Sequence, residues 1–226
     1  MDKREYFHAD AFLHRQLVLR GRFFFVQIGA NDGISFDPLY PFVSKYSDGN
    51  GNIRGIVVEP MADAYRQLCQ TYSRLPGIVP VNAAIHNSEK EMTLYKVDPK
   101  KLAQLPEGCK GIASFDPEHH RRSSTPAEFI VTEQVACLSL AELLAQQQVT
   151  AFDLLQMDTE GYDAQIMLGI DFEKVQPSII RFEHGLQFGT MSKSLFTEIV
   201  RRLNDHDYQV IIEQEDATAY RPLECW

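Results

Sequence analysis

What this sequence lacks narrows its reading before any motif is considered. Its four cysteines, Cys69, Cys109, Cys137 and Cys225, form no CxxC pair, which excludes a zinc ribbon and a thioredoxin-like site. Thiols spaced this widely are expected to be reduced and structural, as in a cytoplasmic protein. The longest strongly apolar run is Phe23 to Val26, far too short to cross a bilayer. The amino terminus, Met1 to His8, is charged and lacks the apolar centre of a secretion signal. Basic residues are in deficit: 22 Lys+Arg face 31 Asp+Glu, a formal net charge of -9. A chain without a basic excess suits neither nucleic acid nor an anionic membrane as its main partner.

What is present suffices for a folded domain. The chain has 226 residues, of which 44% are hydrophobic and 11% aromatic, enough to bury a core and too apolar for a disordered chain. Short apolar stretches at Phe23–Ile28, Gly55–Val58, Ile78–Val81, Phe152–Met157, Ser178–Phe182 and Tyr208–Glu213 read as strands. Met92–Val97 and Phe129–Val135 are weaker candidates. Several run continuously apolar instead of alternating, as a strand covered on both faces requires.

Helical patterns fall between the strands. Met61–Arg74 places Tyr65, Leu68, Cys69 and Tyr72 on one face, and Pro76-Gly77 ends it. Ser139-Leu-Ala-Glu142 matches a capping box. Ser192–Asn204 carries Leu195, Phe196, Ile199, Val200 and Leu203 along one stripe. Asp37-Pro38 predicts a helix start, with Asp37 as cap and Pro38 in the first turn. Alternating strand and helix predict an α/β domain with a mostly parallel sheet. Residues 1–226 are expected to form one such domain, with 1–22 as an N-terminal helical extension. The proline- and glycine-rich stretch 98–128 interrupts the rhythm and reads as an insertion or lid.

Three motifs sit at predicted strand ends. The first is Gln27-Ile-Gly-Ala-Asn-Asp-Gly33, where Gly29 and Gly33 let a ligand approach the backbone and Asn31 and Asp32 put polar groups at the mouth. The G-x-G-x-x-G dinucleotide fingerprint is absent, and Asp32 would repel a pyrophosphate. A ligand with an ammonium group or hydroxyls fits better. The second is Val57-Val-Glu59-Pro60, whose carboxylate can hold both hydroxyls of a ribose. The third is Leu155-Gln-Met-Asp158-Thr-Glu160-Gly161, with two carboxylates at the edge where α/β sheets bind ligands. Asp163 reads as a charge at a helix start.

These pieces, with Val81-Asn-Ala-Ala-Ile85 and Ile112-Ala-Ser-Phe115, resemble in order and spacing the FkbM family of S-adenosylmethionine-dependent methyltransferases, over roughly residues 23–221. The resemblance implies a class I methyltransferase fold: a Rossmann-like three-layer sandwich whose seven-stranded, mostly parallel sheet has an antiparallel last strand, here Asp216–Arg221. It implies S-adenosylmethionine as cofactor, with Gln27, Gly29, Asn31, Asp32 and Gly33 beside its methionine part and Glu59 and Pro60 at its ribose. Asn82, Ala83 and Ala84 would border the adenine, Ser114 would approach the cofactor, and Asp158 would face the ammonium or the acceptor. The family usually has Val at position 159 and Glu at 163, and this chain departs there.

An oxygen acceptor needs a base near the methyl group. His184, Glu160 and Asp158 are the candidates, with His86 a weaker one. His119-His120-Arg121-Arg122 could grip an anionic group or be a solvated loop cluster. No metal-ligand spacing is present. The expected activity is O-methylation of a hydroxyl on a small molecule or glycan, held by loops or by the second subunit of a homodimer. The alternatives are a catalytically silent cofactor-binding module and a nucleotide-cofactor oxidoreductase.

Overall fold

Strands that are apolar on both faces need helices on both sides, and the chain supplies them. The computed structural model describes residues 9–106, 109, 111–122 and 125–221. In chain order the elements are α1 (Ala9–Arg20), β1 (Phe23–Ile28), α2 (Tyr40–Tyr46), β2 (Ile53–Val58), α3 (Ala62–Thr71), β3 (Ile78–Val81), β4 (Ala84–Ile85), β5 (Glu91–Val97) and β6 (Ala113–Ser114). There follow β7 (Ile130–Leu138), α4 (Leu140–Gln146), β8 (Leu154–Met157), α5 (Asp163–Gly169), β9 (Ile179–Glu183), α6 (Lys193–Asp205), β10 (Gln209–Ile212) and β11 (Asp216–Tyr220).

The main sheet has seven strands in the order β10-β11-β9-β8-β1-β2-β3. Every pairing is parallel except those of β11, which runs antiparallel to both neighbours. This is the class I methyltransferase topology that the resemblance implied. Side chains of β1 alternate between two cores, as a period of two demands. Phe23 and Phe25 pack with Leu13 of α1, Phe42 and Val43 of α2 and Leu68 of α3. Val26 and Ile28 face the other way, toward Leu143 of α4, Ile166 of α5 and Leu203 of α6. Each fully buried side chain of this size contributes about 1.5–3 kcal/mol. The Ser139 capping box forms as expected, and Ser192 caps α6.

The structure corrects one expectation and adds detail to two others. Helix α2 begins at Tyr40, not at Pro38, because the Asp37 carboxylate accepts the Leu39 N–H at 2.7 Å and so caps a turn ahead of the helix. The weaker strand candidates are real strands but do not join the main sheet. They pair with each other as β5 and β7 in a second sheet, ordered β4-β7-β5-β6. The stretch 98–128 is more than a loop: its described residues carry β6, 3-10 turns and, with Val97, a small core of Cys109 and Ile112. Residues 1–8, 107, 108, 110, 123, 124 and 222–226, Cys225 among them, lie outside the described residues. Cys69, Cys109 and Cys137 are free thiols. Among the described residues no helix is long and apolar enough to cross a membrane.

Candidate functional site

Register brings the three motifs together. Ile28 pairs with Val58 on one side and Met157 on the other, so Gly29, Glu59 and Asp158 leave the sheet side by side at its carboxyl edge. They border a cleft of about 1050 Å³, its mouth included. Gln27, Gly29, Asn31, Glu59, Pro60, Ala83, Ala84, Asp158 and Glu160 all line it. Met61, Leu94, Ala113 and Phe115 add an apolar wall beside Ala83 and Ala84. Phe36, at the mouth, is 60% exposed.

Gly29 has to be glycine. Its φ is +80°, and a Cβ there would lie 1.8 Å from the Asp158 carbonyl oxygen. Side-chain-free backbone is what lets β1 and β8 close at the cleft floor.

Glu59 is buried, and both of its oxygens accept backbone N–H groups: Oε2 from Asn31 and Oε1 from Met61, each at 2.8 Å. Burial nevertheless pushes its carboxyl up to about 7, against the lowering effect of those two bonds. Asp37 is likewise raised by burial, to about 6, with Asp32 adding repulsion. Asp158 faces the cleft and makes no side-chain hydrogen bond among the described residues. Its side chain is open to the cleft, yet the protein mass around the cleft raises its carboxyl well above the usual range, with Glu160, Asp163, Glu183 and Asp216 adding to the effect. Glu183 is pushed up to about 8, by burial first and then by the same neighbours. The described lining contains four carboxyl groups, Asp37, Glu59, Asp158 and Glu160, and no Lys, Arg or His.

Other expected site residues stand behind the wall. Asp32 is turned onto its own loop, where Oδ1 accepts the Ile34 and Ser35 N–H groups and Oδ2 the Ser35 hydroxyl. Gly33 serves packing: a Cβ would meet Leu68 of α3 and Tyr72 just after it, each at 2.9 Å. Asn82 donates to the Glu59 and Pro60 carbonyls and so pins the end of β2. Ser114 donates to the Glu160 carbonyl at 2.9 Å. These residues shape the cleft without lining it.

His184, expected as a candidate base, does not line the cleft. It is 2% exposed, with Nδ1 accepting the Leu186 N–H and Nε2 donating to the Glu213 carbonyl. Both ring nitrogens are occupied by backbone, so it braces the turn after β9. His86 stacks on Tyr162 behind the wall. Among the described residues no group of three His, Cys, Asp or Glu is placed to hold a metal.

Two features escaped the sequence reading. Asp163 does start α5 as expected, but it is 1% exposed, and Thr159 and Glu183 donate to it. The Thr-x-x-x-Asp spacing was a local signal for this bond. His119 had no such signal. Its Nε2 lies 2.8 Å from Glu160 Oε2, across 41 residues of sequence. Arg122 bonds the other ring nitrogen and Asp116, so this pair does not reach out for an anion. Arg121 pairs with Glu118 at the surface.

The chain matches the family model of the methyltransferase FkbM domain over residues 27–210. No curated protein matches it. Among solved structures it is similar to a methyltransferase from Geobacter sulfurreducens, with 9% identity over 96% of this chain and 80% of that one, at a TM-score of 0.49. It is also similar to Aeropyrum pernix fibrillarin in complex with natively bound S-adenosyl-L-methionine, with 10% identity over 92% of this chain and 73% of that one, at a TM-score of 0.42.

Proposed function

The chain belongs to the FkbM methyltransferase family, whose cofactor is S-adenosylmethionine, and from that premise we propose that it methylates a hydroxyl group on a small molecule or glycan. The observation that carries the reading is a cleft lined by four carboxyl groups and no described basic side chain. Such walls favour a cation and disfavour a pyrophosphate or an anionic acceptor.

The residues fit the cofactor. The Gln27 Oε1 is a buried acceptor at the cleft with no partner among the described residues, available to an ammonium donor. Glu59 would hold the ribose; Met61, Ala83, Ala84 and Phe115 would cover the adenine. Asp158 would face the ammonium or the acceptor. When bound, S-adenosylmethionine supplies a methyl group on a sulfonium, which an acceptor atom takes while sulfur keeps the bonding pair.

The chain's own part is alignment and proton handling. Of the candidate bases, Glu160 and Asp158 line the cleft and His184 does not. Glu160 is the one whose carboxylate is held in place by a neighbouring donor, and we assign it the acceptor's proton. The acceptor preference follows from the mouth. An exposed Phe36 offers a face to the C–H side of a sugar ring or to an aromatic ring, while the carboxylates accept hydroxyl hydrogen bonds.

Titration calorimetry with S-adenosylhomocysteine and with NAD tests the cofactor reading: the adenosyl ligand is expected to bind and NAD is not. A methyl-transfer screen over neutral sugars, glycolipids and phenols tests the acceptor. Turnover only on amines or phosphorylated acceptors would overturn the hydroxyl reading. Tight cofactor binding with no turnover on any acceptor would favour a silent binding module.

A further inference from the structure

We propose that His119 is a positioning residue that holds the Glu160 carboxylate as proton acceptor, with Arg122 fixing the ring tautomer that makes this hold work. The inference rests on the reading of Glu160 as the base.

Glu160 sits in a conformation that needs support. Its φ is +53°, in the left-handed region, and Gly161 follows at +104°. A non-glycine residue there is strained and persists only where its surroundings impose it. The surroundings here come from the insertion. Ser114 Oγ donates to the Glu160 carbonyl at 2.9 Å, and His119 Nε2 lies 2.8 Å from its Oε2. The His119 side chain is 9% exposed against 33% for Glu160, so the histidine is the fixed partner.

The tautomer follows from the third member. Arg122 NH1 lies 3.2 Å from His119 Nδ1, and NH2 lies 3.2 Å from Asp116 Oδ2. A guanidinium has donors only, so Nδ1 must accept. The ring proton is then on Nε2, where it donates to Glu160. A neutral donor orients a carboxylate without the full charge that would quench its basicity. Oε1 of Glu160 takes no hydrogen bond among the described residues, which leaves that oxygen for the acceptor. In the step it serves, the acceptor O–H bond breaks, the proton goes to Glu160, and the electron pair stays on the oxygen that takes the methyl group.

Two measurements test the proposal. In the full chain with 15N-labelled histidine, NMR is expected to show His119 protonated at Nε2 and bare at Nδ1. The Nε2 resonance should move in Glu160→Ala. A proton on Nδ1, or an Nε2 resonance indifferent to Glu160→Ala, would overturn the assignment. In kinetics with methyl glucoside and with phenol as acceptors, His119→Ala should lower kcat at least about tenfold with little change in KM. His119→Gln, which keeps a donor, should recover part of that loss. S-adenosylhomocysteine affinity should stay within about twofold in both, which shows that the fold is intact. If Glu160→Gln is slow but His119→Ala turns over like wild type, the positioning role falls and the base stands. If Glu160→Gln itself turns over like wild type, both fall.

Discussion

The two sides of the cleft handle their carboxylates differently. At the ends of β1 and β2, Glu59 is tied by backbone N–H groups from residues within 28 positions of it. Beyond the end of β8, the Asp158 carboxylate takes no hydrogen bond among the described residues, and Glu160 is oriented by a side chain that arrives from the insertion. The first arrangement is built from local sequence and suits the invariant part of a ligand. The second depends on a separate element, which can change without disturbing the first. The contrast suggests that cofactor recognition is carried by the sheet edge and acceptor chemistry by the insertion.

The largest expected effect lies where the two sides meet. Gly29→Ala would place a Cβ 1.8 Å from the Asp158 carbonyl, at a φ of +80°. Backbone on both sides leaves no flexible side chain to yield, so a loss of at least about 4 kcal/mol is expected. Chemical denaturation measures it. A well-folded Gly29→Ala variant with unchanged affinity for S-adenosylhomocysteine would mean that the two edges are not rigidly joined.

The next effect is electrostatic. Glu59 is raised from 4.5 to about 7 in the folded protein, so the folded state holds its proton more tightly than the unfolded one. Stability is then fully present below about pH 4.5 and is lost as pH rises through about 7. For Glu59 alone the loss is about 3 kcal/mol. Glu183 extends the window to about 8. The free protein is therefore expected to melt at a lower temperature at pH 8 than at pH 5. A cationic ligand reverses the sign, because it favours the ionised carboxylates, and S-adenosylmethionine should bind more tightly at pH 8. Calorimetry at both values checks this, and affinity that falls with rising pH would contradict a cation-selective cleft.

The contrast also explains what could be read from the sequence. Glu59 and Gly29 were legible because strand, turn and carboxylate lie within one βα unit, and the ladder then fixes where they point. Gly33 and Asp32 stand outside the cleft lining, which the turn could not show: a glycine turn looks the same whether it admits a ligand or a helix. Met92–Val97 could be read as a strand, but nothing local says that it pairs with β7 instead of the main sheet. His184 follows a strand as a base would, and only the Glu213 carbonyl, brought in by the β10–β11 hairpin, reveals its bracing role. His119 needed a partner 41 residues away, beyond any spacing rule.

A smaller effect separates the functions of Glu59. Glu59→Ala removes the carboxylate proposed for the ribose and leaves the Asn31 and Met61 N–H groups without their acceptor. Affinity for S-adenosylhomocysteine should fall at least about tenfold, or about 1.4 kcal/mol. Unchanged affinity in the folded variant would remove the ribose assignment and leave Glu59 a purely internal brace.

The smallest effect on the cleft is expected at His184. Its ring is enclosed near Phe196, with centroids 4.9 Å apart, and both nitrogens are satisfied by backbone. His184→Ala should cost about 1–3 kcal/mol of stability, since it leaves the Leu186 N–H and the Glu213 carbonyl unpaired. It should leave S-adenosylhomocysteine affinity and the pH profile of turnover as they are. A histidine acting as base would do the opposite: stability would hardly change, and a limb of the pH profile would vanish. Measured beside Glu160→Gln, the variant decides which strand end carries the proton. Slow turnover in His184→Ala with an intact fold would move the base from β8 to β9 and take with it the role assigned to the insertion.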